Sequence, residues 1–306
     1  MSLKITRAAD PITVERLNMV IYGPPGIAKT SLAFTADAPL LLDFDKGSHR
    51  AANRKDVVLV GSWPEAAGIT EEDLAPYKTV IVDTAGRALD SLTADIIKTD
   101  PKGHKNGSLT LPGYGVLKSR FGQFLKLLNS LGKDVVLIAH MDEQRNGDDV
   151  IERLDVQGGS KGEIYKAADA MGRIVIENGQ RMLKFSPTDA AFGKNPGQLE
   201  PLKIPHFEHA DFDGFLGRVI QQTKDRLNTL SADQKAVAEE QQWFRTTLPS
   251  IAVVDEINGL MARASAGGTA CKSMLNTRAT ELGFTFDKAA GAYVAPAKVK
   301  PQKEAA

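Results

Sequence analysis

The chain reads RLNMVIY-GPPGIAKT-SLAFT over residues 16–35. An apolar run of strand length is followed by a glycine- and proline-rich turn, then by a helical pattern that stops at Asp37-Ala38-Pro39. That order is what phosphate binding needs. Backbone N–H groups of the loop face the anion, and glycines allow the chain to approach it closely. Gly23, Pro24, Pro25, Gly26, Ile27, Ala28, Lys29, Thr30 and Ser31 are the candidate nucleotide-binding residues. Lys29 supplies a point charge for the outer phosphates and Thr30 a hydroxyl for a divalent cation. The pattern departs from G-x-x-x-x-G-K-[ST] once, where Ala28 stands for the second glycine.

Four further apolar runs reach outward from this turn, at residues 39–45 (PLLLDFD), 56–60 (DVVLV), 78–83 (KTVIVD) and 134–140 (DVVLIAH). Helical spacing separates several of them, over residues 87–98 and 114–131. Strands alternating with helices predict βαβ units and a parallel-dominated sheet, an α/β class. In such sheets ligands gather at the carboxyl ends of strands, so polar residues closing the runs are site candidates. Asp83 is a candidate metal carboxylate, together with Thr30. Asp45 is the candidate water-activating acid, with Asp43 second on the same side of its strand. His140 is positioned to sense the outer phosphate. AAA proteins usually carry a glutamate after the metal aspartate; here the residue is Thr84, so that family is expected to fit poorly.

Residues 99–112 and 141–162 read as polar loops. Asn178-Gly179 between two apolar runs predicts a hairpin. After Pro205 the pattern becomes mainly helical, and residues 295–306, with three lysines and two prolines, read as a disordered tail. The expected organisation is a lead-in over 1–15, an ATPase core over 16–205, a helical region over 206–294 and the tail. With 38 basic and 38 acidic residues the net charge is zero, which excludes a globally basic nucleic-acid binder but not a local basic stripe. One cysteine, Cys271, excludes an internal disulfide. No apolar run approaches the ~20 residues of a membrane span, and residues 1–10 lack the apolar core of a secretory leader. A cytoplasmic protein without membrane contact is expected.

Taken together, the loop GPPGIAKT, the acid after LLLDF, TVIVD, the polar strand end at His140, two long loops and the late hairpin resemble the RecA recombinase core. The resemblance covers roughly residues 15–205. More narrowly it is to the phage-encoded, core-only RecA-type ATPases that act as single-strand annealing proteins. It implies a RecA-like P-loop NTPase core with a C-terminal helical region, using ATP and Mg²⁺. It also implies a homo-oligomer on single-stranded DNA, and a slow ATPase completed by a neighbour's cation, for which Lys194 is the candidate and Lys184 the second. The two loops then face DNA, with Lys98, Lys102 and Lys105 in the first and Arg145, Arg153 and Lys161 in the second. The second loop is acidic on balance, so a single-strand binding protein is a further expected partner. A nucleotide-gated interaction module without DNA binding is the alternative.

Overall fold

The computed structural model describes residues 12–146, 149–156 and 161–296. The chain divides into a larger compact unit, Val14–Leu227, and a smaller one from Asn228 onward.

The larger unit contains β1 (Asn18–Gly23), α1 (Lys29–Ala33), β2 (Pro39–Asp43), β3 (Asp56–Leu59), α2 (Trp63–Ala67), α3 (Glu71–Leu74), β4 (Thr79–Asp83) and α4 (Ala85–Thr99). Next come β5 (His104–Lys105), β6 (Ser108–Leu109), α5 (Leu111–Ser130), β7 (Asp134–Asn146), β8 (Asp149–Leu154), α6 (Lys161–Ala167), β9 (Ala170–Glu177), β10 (Gln180–Lys184), β11 (Leu202–Lys203) and the first turns of α7 (Phe215–Thr247).

The main sheet runs β11-β10-β9-β1-β7-β4-β2-β3, and every pairing from β9 to β3 is parallel. β7 therefore lies between β1 and β4. Alternation along each strand sorts side chains between two cores. Val20, Val80, Val82, Val135 and Leu137 face the layer holding α2, α4 and α5. Met19, Ile21, Ile81, Val136 and Ile138 face α1 and the start of α7. Burial on both faces explains why these strands read as continuous apolar runs.

The structure differs from the sequence reading in three places. Residues 141–146 and 149–154 are strand and not loop: β7 runs on past the sheet and pairs with β8 from Met141↔Leu154 to Asn146↔Asp149. This hairpin is polar along most of its length, so it lacks the apolar period that reveals a buried strand. Within 99–112, β5 and β6 form a small antiparallel pair turned at Asn106-Gly107, with φ of +49° and +79°. The core also does not stop at residue 205. Leu216, Val219 and Ile220 are buried in the second core layer, and Thr35 Oγ1 accepts from the Leu216 N–H at 2.9 Å. The late hairpin is present as β9 and β10, with Asn178 and Gly179 both at positive φ.

In the smaller unit, α8 (Val254–Gly259), α9 (Met261–Ala266) and α10 (Gly268–Glu281) gather with Phe244 and Leu248 around buried Ile257, Cys271 and Leu275. Arg263 forks onto Glu240 at 2.7 and 3.1 Å and lies over the Trp243 ring at 3.6 Å. A terminal hairpin, β12 (Thr285–Asp287) with β13 (Ala292–Val294), is fixed to α8 because Asn258 bonds both backbone groups of Tyr293. Within the tail, residues 297–306 lie outside the described residues, as do 1–11 of the lead-in. Among the described residues no helix is long and apolar enough to cross a membrane.

Trp63 anchors the first core layer. It is 2% exposed and its ring lies 5.2 Å from Phe124 and 6.3 Å from Phe121. Trp63→Ala is expected to cost about 3–5 kcal/mol in denaturant unfolding. Leu111→Ala, at a side chain 88% exposed, is expected to change stability by less than about 0.5 kcal/mol.

Candidate nucleotide site

The sheet register decides what meets at the carboxyl edge. Gly23 lies level with His140, and Asp43 with Asp83. Beyond the last ladder pair, the Asp83 carbonyl oxygen accepts from the N–H of Phe44 at 2.8 Å and of Asp45 at 3.2 Å. That extension carries Asp45 alongside Asp83. The result is one cavity of about 250 Å³ lined by Gly26, Ala28, Lys29, Thr30, Ser31, Asp45, Gly47, Arg50, Ala51, Asp83 and His140.

The loop is held from several sides. A Cβ on Gly23 would lie 2.9 Å from the Ile174 carbonyl oxygen, so the strand–loop junction accepts only glycine without a shift. Lys29 is almost fully buried, and its ammonium donates to the Gly23 and Pro24 carbonyls, both at 2.9 Å. Thr30 Oγ1 donates to Asp83 Oδ2 at 2.7 Å, joining the loop to a strand that is not its sheet neighbour. Ala28 sits in the left-handed region, φ +67° and ψ +39°. The second glycine of the motif is thus replaced by a residue that must still take a glycine conformation, at a cost of roughly 1–2 kcal/mol.

Burial dominates the charges. It lowers the Lys29 ammonium to about 8, against the pull of Asp83 and Asp45. It raises the Asp83 carboxyl to about 6, although the Thr30 hydroxyl bond favours the charged form. His140 is lowered by burial and then by Lys29, so its imidazole is neutral near pH 7. Its Nδ1 is buried with no hydrogen-bond partner among the described residues. The His140 carbonyl accepts from the Asp155 N–H at 2.9 Å, at the root of the β7–β8 hairpin.

Other predicted residues lie elsewhere. Asp43 is fully buried and accepts from the N–H groups of Gly47 and Ser48, at 3.2 and 2.9 Å, so it holds the turn after β2. Thr84 caps α4 through the Arg87 N–H. Lys194 is not in the cavity: its ammonium donates to the carbonyls of Tyr165 and Ala168, the latter at 2.6 Å. Lys184 is paired with Glu177. Lys98, Lys102 and Lys105 are exposed around the β5–β6 turn. Arg145 lies near the tip of the β7–β8 hairpin, opposite Val150, and Lys161 opens α6. Arg153 lies 4.4 Å over the Phe192 ring. Sequence reading missed Arg50, which follows Ser48-His49 on an exposed turn with no periodic signal.

A model of an AAA domain family matches residues 15–196, more than half of the chain. The chain belongs to that AAA domain family. The match overturns the expectation, drawn from Thr84, that AAA proteins fit poorly, and it makes residues 15–196 a P-loop ATPase domain. Among solved structures, the KaiC-like protein PH0186 from Pyrococcus horikoshii OT3 aligns at 8% identity and a TM-score of 0.36. The alignment covers 62% of this chain and 85% of that one. No curated protein matches the chain.

Two outcomes follow for the AAA domain. Ala28→Gly is expected to raise stability by about 0.5–1 kcal/mol in denaturant unfolding, because relief of the left-handed alanine exceeds the added chain entropy; a loss would contradict the strain. For Asp83, the folded carboxyl at about 6 binds a proton more tightly than the unfolded one, so ionisation destabilises the fold as pH rises from about 4 to 6. Asp83→Asn removes that charge. Its melting temperature relative to wild type is expected to rise between pH 4 and 6 and to level off above; no pH dependence of the difference would contradict the burial effect.

Proposed function

We propose that this chain is a Mg²⁺-dependent, RecA-type ATPase that binds single-stranded DNA and promotes phage DNA recombination or single-strand annealing. The observation that carries the reading is the convergence of Lys29, Thr30, Asp45, Asp83 and His140 on one cavity, with His140 tied to the root of the β7–β8 hairpin. One feature favours the RecA type within P-loop ATPases: the acid beside the cavity, Asp45, lies just past β2, on the extension held by the Asp83 carbonyl.

Lys29 is the cation for the β- and γ-phosphates, released from the two carbonyls it caps. Thr30 Oγ1 and Asp83 Oδ2 are hard oxygen donors side by side, the donor type that Mg²⁺ takes. They would hold Mg²⁺ there, and it would supply positive charge to the phosphate oxygens. Asp45, half-buried at the cavity wall, orients a water and takes its proton. The water oxygen bonds to the γ-phosphorus, the bond to the β,γ-bridging oxygen breaks with its electron pair going to ADP, and the proton passes on to phosphate. Asp83, held partly neutral by its burial, is drawn to its charged form when a cation binds.

His140 couples this chemistry to the hairpin. His140 lines the cavity in which the γ-phosphate would lie, and its own carbonyl fixes Asp155. Movement there passes directly into the strands that carry Arg145 and Arg153. Lys98, in the last turn of α4, and Lys102 and Lys105, beside the β5–β6 turn, are exposed and without side-chain partners among the described residues, and supply phosphate contacts.

Lys29→Ala is expected to abolish nucleotide binding. Asp45→Asn is expected to bind ATP but lose at least ~10²-fold in turnover, the loss typical of a missing base; normal turnover would reject the assignment. Single-stranded DNA is expected to raise ATP turnover at low salt, with the effect fading as salt increases. Turnover and gel mobility unchanged by DNA would favour the interaction module instead.

A further inference from the structure

Arg50 is a cation of the cavity wall that the hydrolysis scheme leaves without a task. It ends the 3-10 turn Ser48–Arg50 and shares the cavity with Lys29, Thr30, Asp83 and His140. Its Nη2 is 3.6 Å from Asp45 Oδ2, while Arg87 Nε is 3.6 Å from Asp45 Oδ1. The carboxylate thus stands between two guanidinium groups, one at each oxygen. Both separations exceed hydrogen-bond length, so neither arginine is locked.

The two arginines are not equivalent. Arg87 does not line the cavity and is shared with Asp90 at 3.3 Å. Arg50 lines it, is 68% exposed, and has no other ion-pair partner among the described residues. The turn beneath it is built for this placement. Buried Asp43 fixes Gly47 and Ser48 through their N–H groups, and a Cβ on Gly47 would collide with the Arg50 guanidinium. A side chain at Gly47 would displace the Arg50 guanidinium from its place beside Asp45. The lysines singled out for charge stabilisation from a neighbour are held within their own chain, Lys194 by two carbonyls and Lys184 by Glu177.

We propose that Arg50 is the charge-stabilising group of hydrolysis and acts in cis, its guanidinium turning from Asp45 to the oxygens of the γ-phosphoryl group as the bond to ADP breaks. This rests on the ATPase reading above. The attacking water and the departing ADP are unchanged by it; Arg50 donates N–H groups and transfers no proton. Its planar fork suits the equatorial oxygens, where charge develops in the transition state. Asp45, freed of one guanidinium by the same movement, turns its Oδ2 to the water. The site is then complete within one subunit.

The test uses the full chain in single-turnover hydrolysis with enzyme in excess over ATP and Mg²⁺, beside titration with a fluorescent ATP analogue. Arg50→Ala is expected to keep nucleotide affinity within about threefold and to lose at least ~10³-fold in rate, the low end of the 10³–10⁵ assigned to such arginines. Free guanidinium ion at millimolar concentration restores part of the rate, and Arg50→Lys lies between Arg50→Ala and wild type. A merely structural role would move neither readout. A rate for Arg50→Ala within threefold of wild type overturns the proposal. So does recovery of activity when Arg50→Ala is mixed with Lys29→Ala, because that places the cation on a neighbour. Wild-type protein that binds no ATP, with Lys29→Ala indistinguishable from it, overturns the parent reading and this one together.

Discussion

Asp83 is bonded in two directions at once. Its carboxylate accepts from the Thr30 hydroxyl, and its carbonyl oxygen accepts from the backbones of Phe44 and Asp45. The first bond reaches across β7 to the loop that follows β1; the second draws the end of β2 past the sheet. Three strand ends that are not all neighbours are thereby brought within reach of one phosphate group. The parallel sheet supplies the common edge, and Asp83 sets the spacing along it.

Electrostatics give that spacing its chemical meaning. Lys29, Asp83 and His140 are all shifted chiefly by burial, each away from its charged form. Two of these groups are partnered by the protein. The Lys29 ammonium is satisfied by carbonyls and the Asp83 carboxylate by a hydroxyl. In the proposed reading, a triphosphate with its cation would replace weak partners by strong ones at both residues. Asp45, between Arg50 and Arg87, is the more exposed of the cavity's two acids.

The sheet was legible because its strands are buried on both faces and end in polar residues. Met19–Tyr22, Val80–Val82 and Val135–Ala139 leave little room for another reading. The phosphate loop was legible because glycine, lysine and threonine have separate physical tasks there. The β7–β8 hairpin was not, since its polar strands lack the apolar alternation that marks a strand in sequence. Ala28 concealed a left-handed position that sequence rules reserve for glycine. Thr84 pointed away from AAA proteins when read against a motif, while in the fold it caps α4. Arg50 was hidden because its importance comes from where a short turn folds back. The place of Lys194 was not legible either, because the carbonyls that hold its ammonium lie far off in sequence.

The most direct test is a crystal structure of the full chain with Mg²⁺ and a non-hydrolysable ATP analogue. The account predicts the β- and γ-phosphates against residues 23–30, with the Lys29 ammonium moved from the Gly23 and Pro24 carbonyls onto them and Asp45 facing the γ-phosphorus. A nucleotide lodged elsewhere, or a bound one that leaves the Lys29 ammonium on those carbonyls, would contradict it.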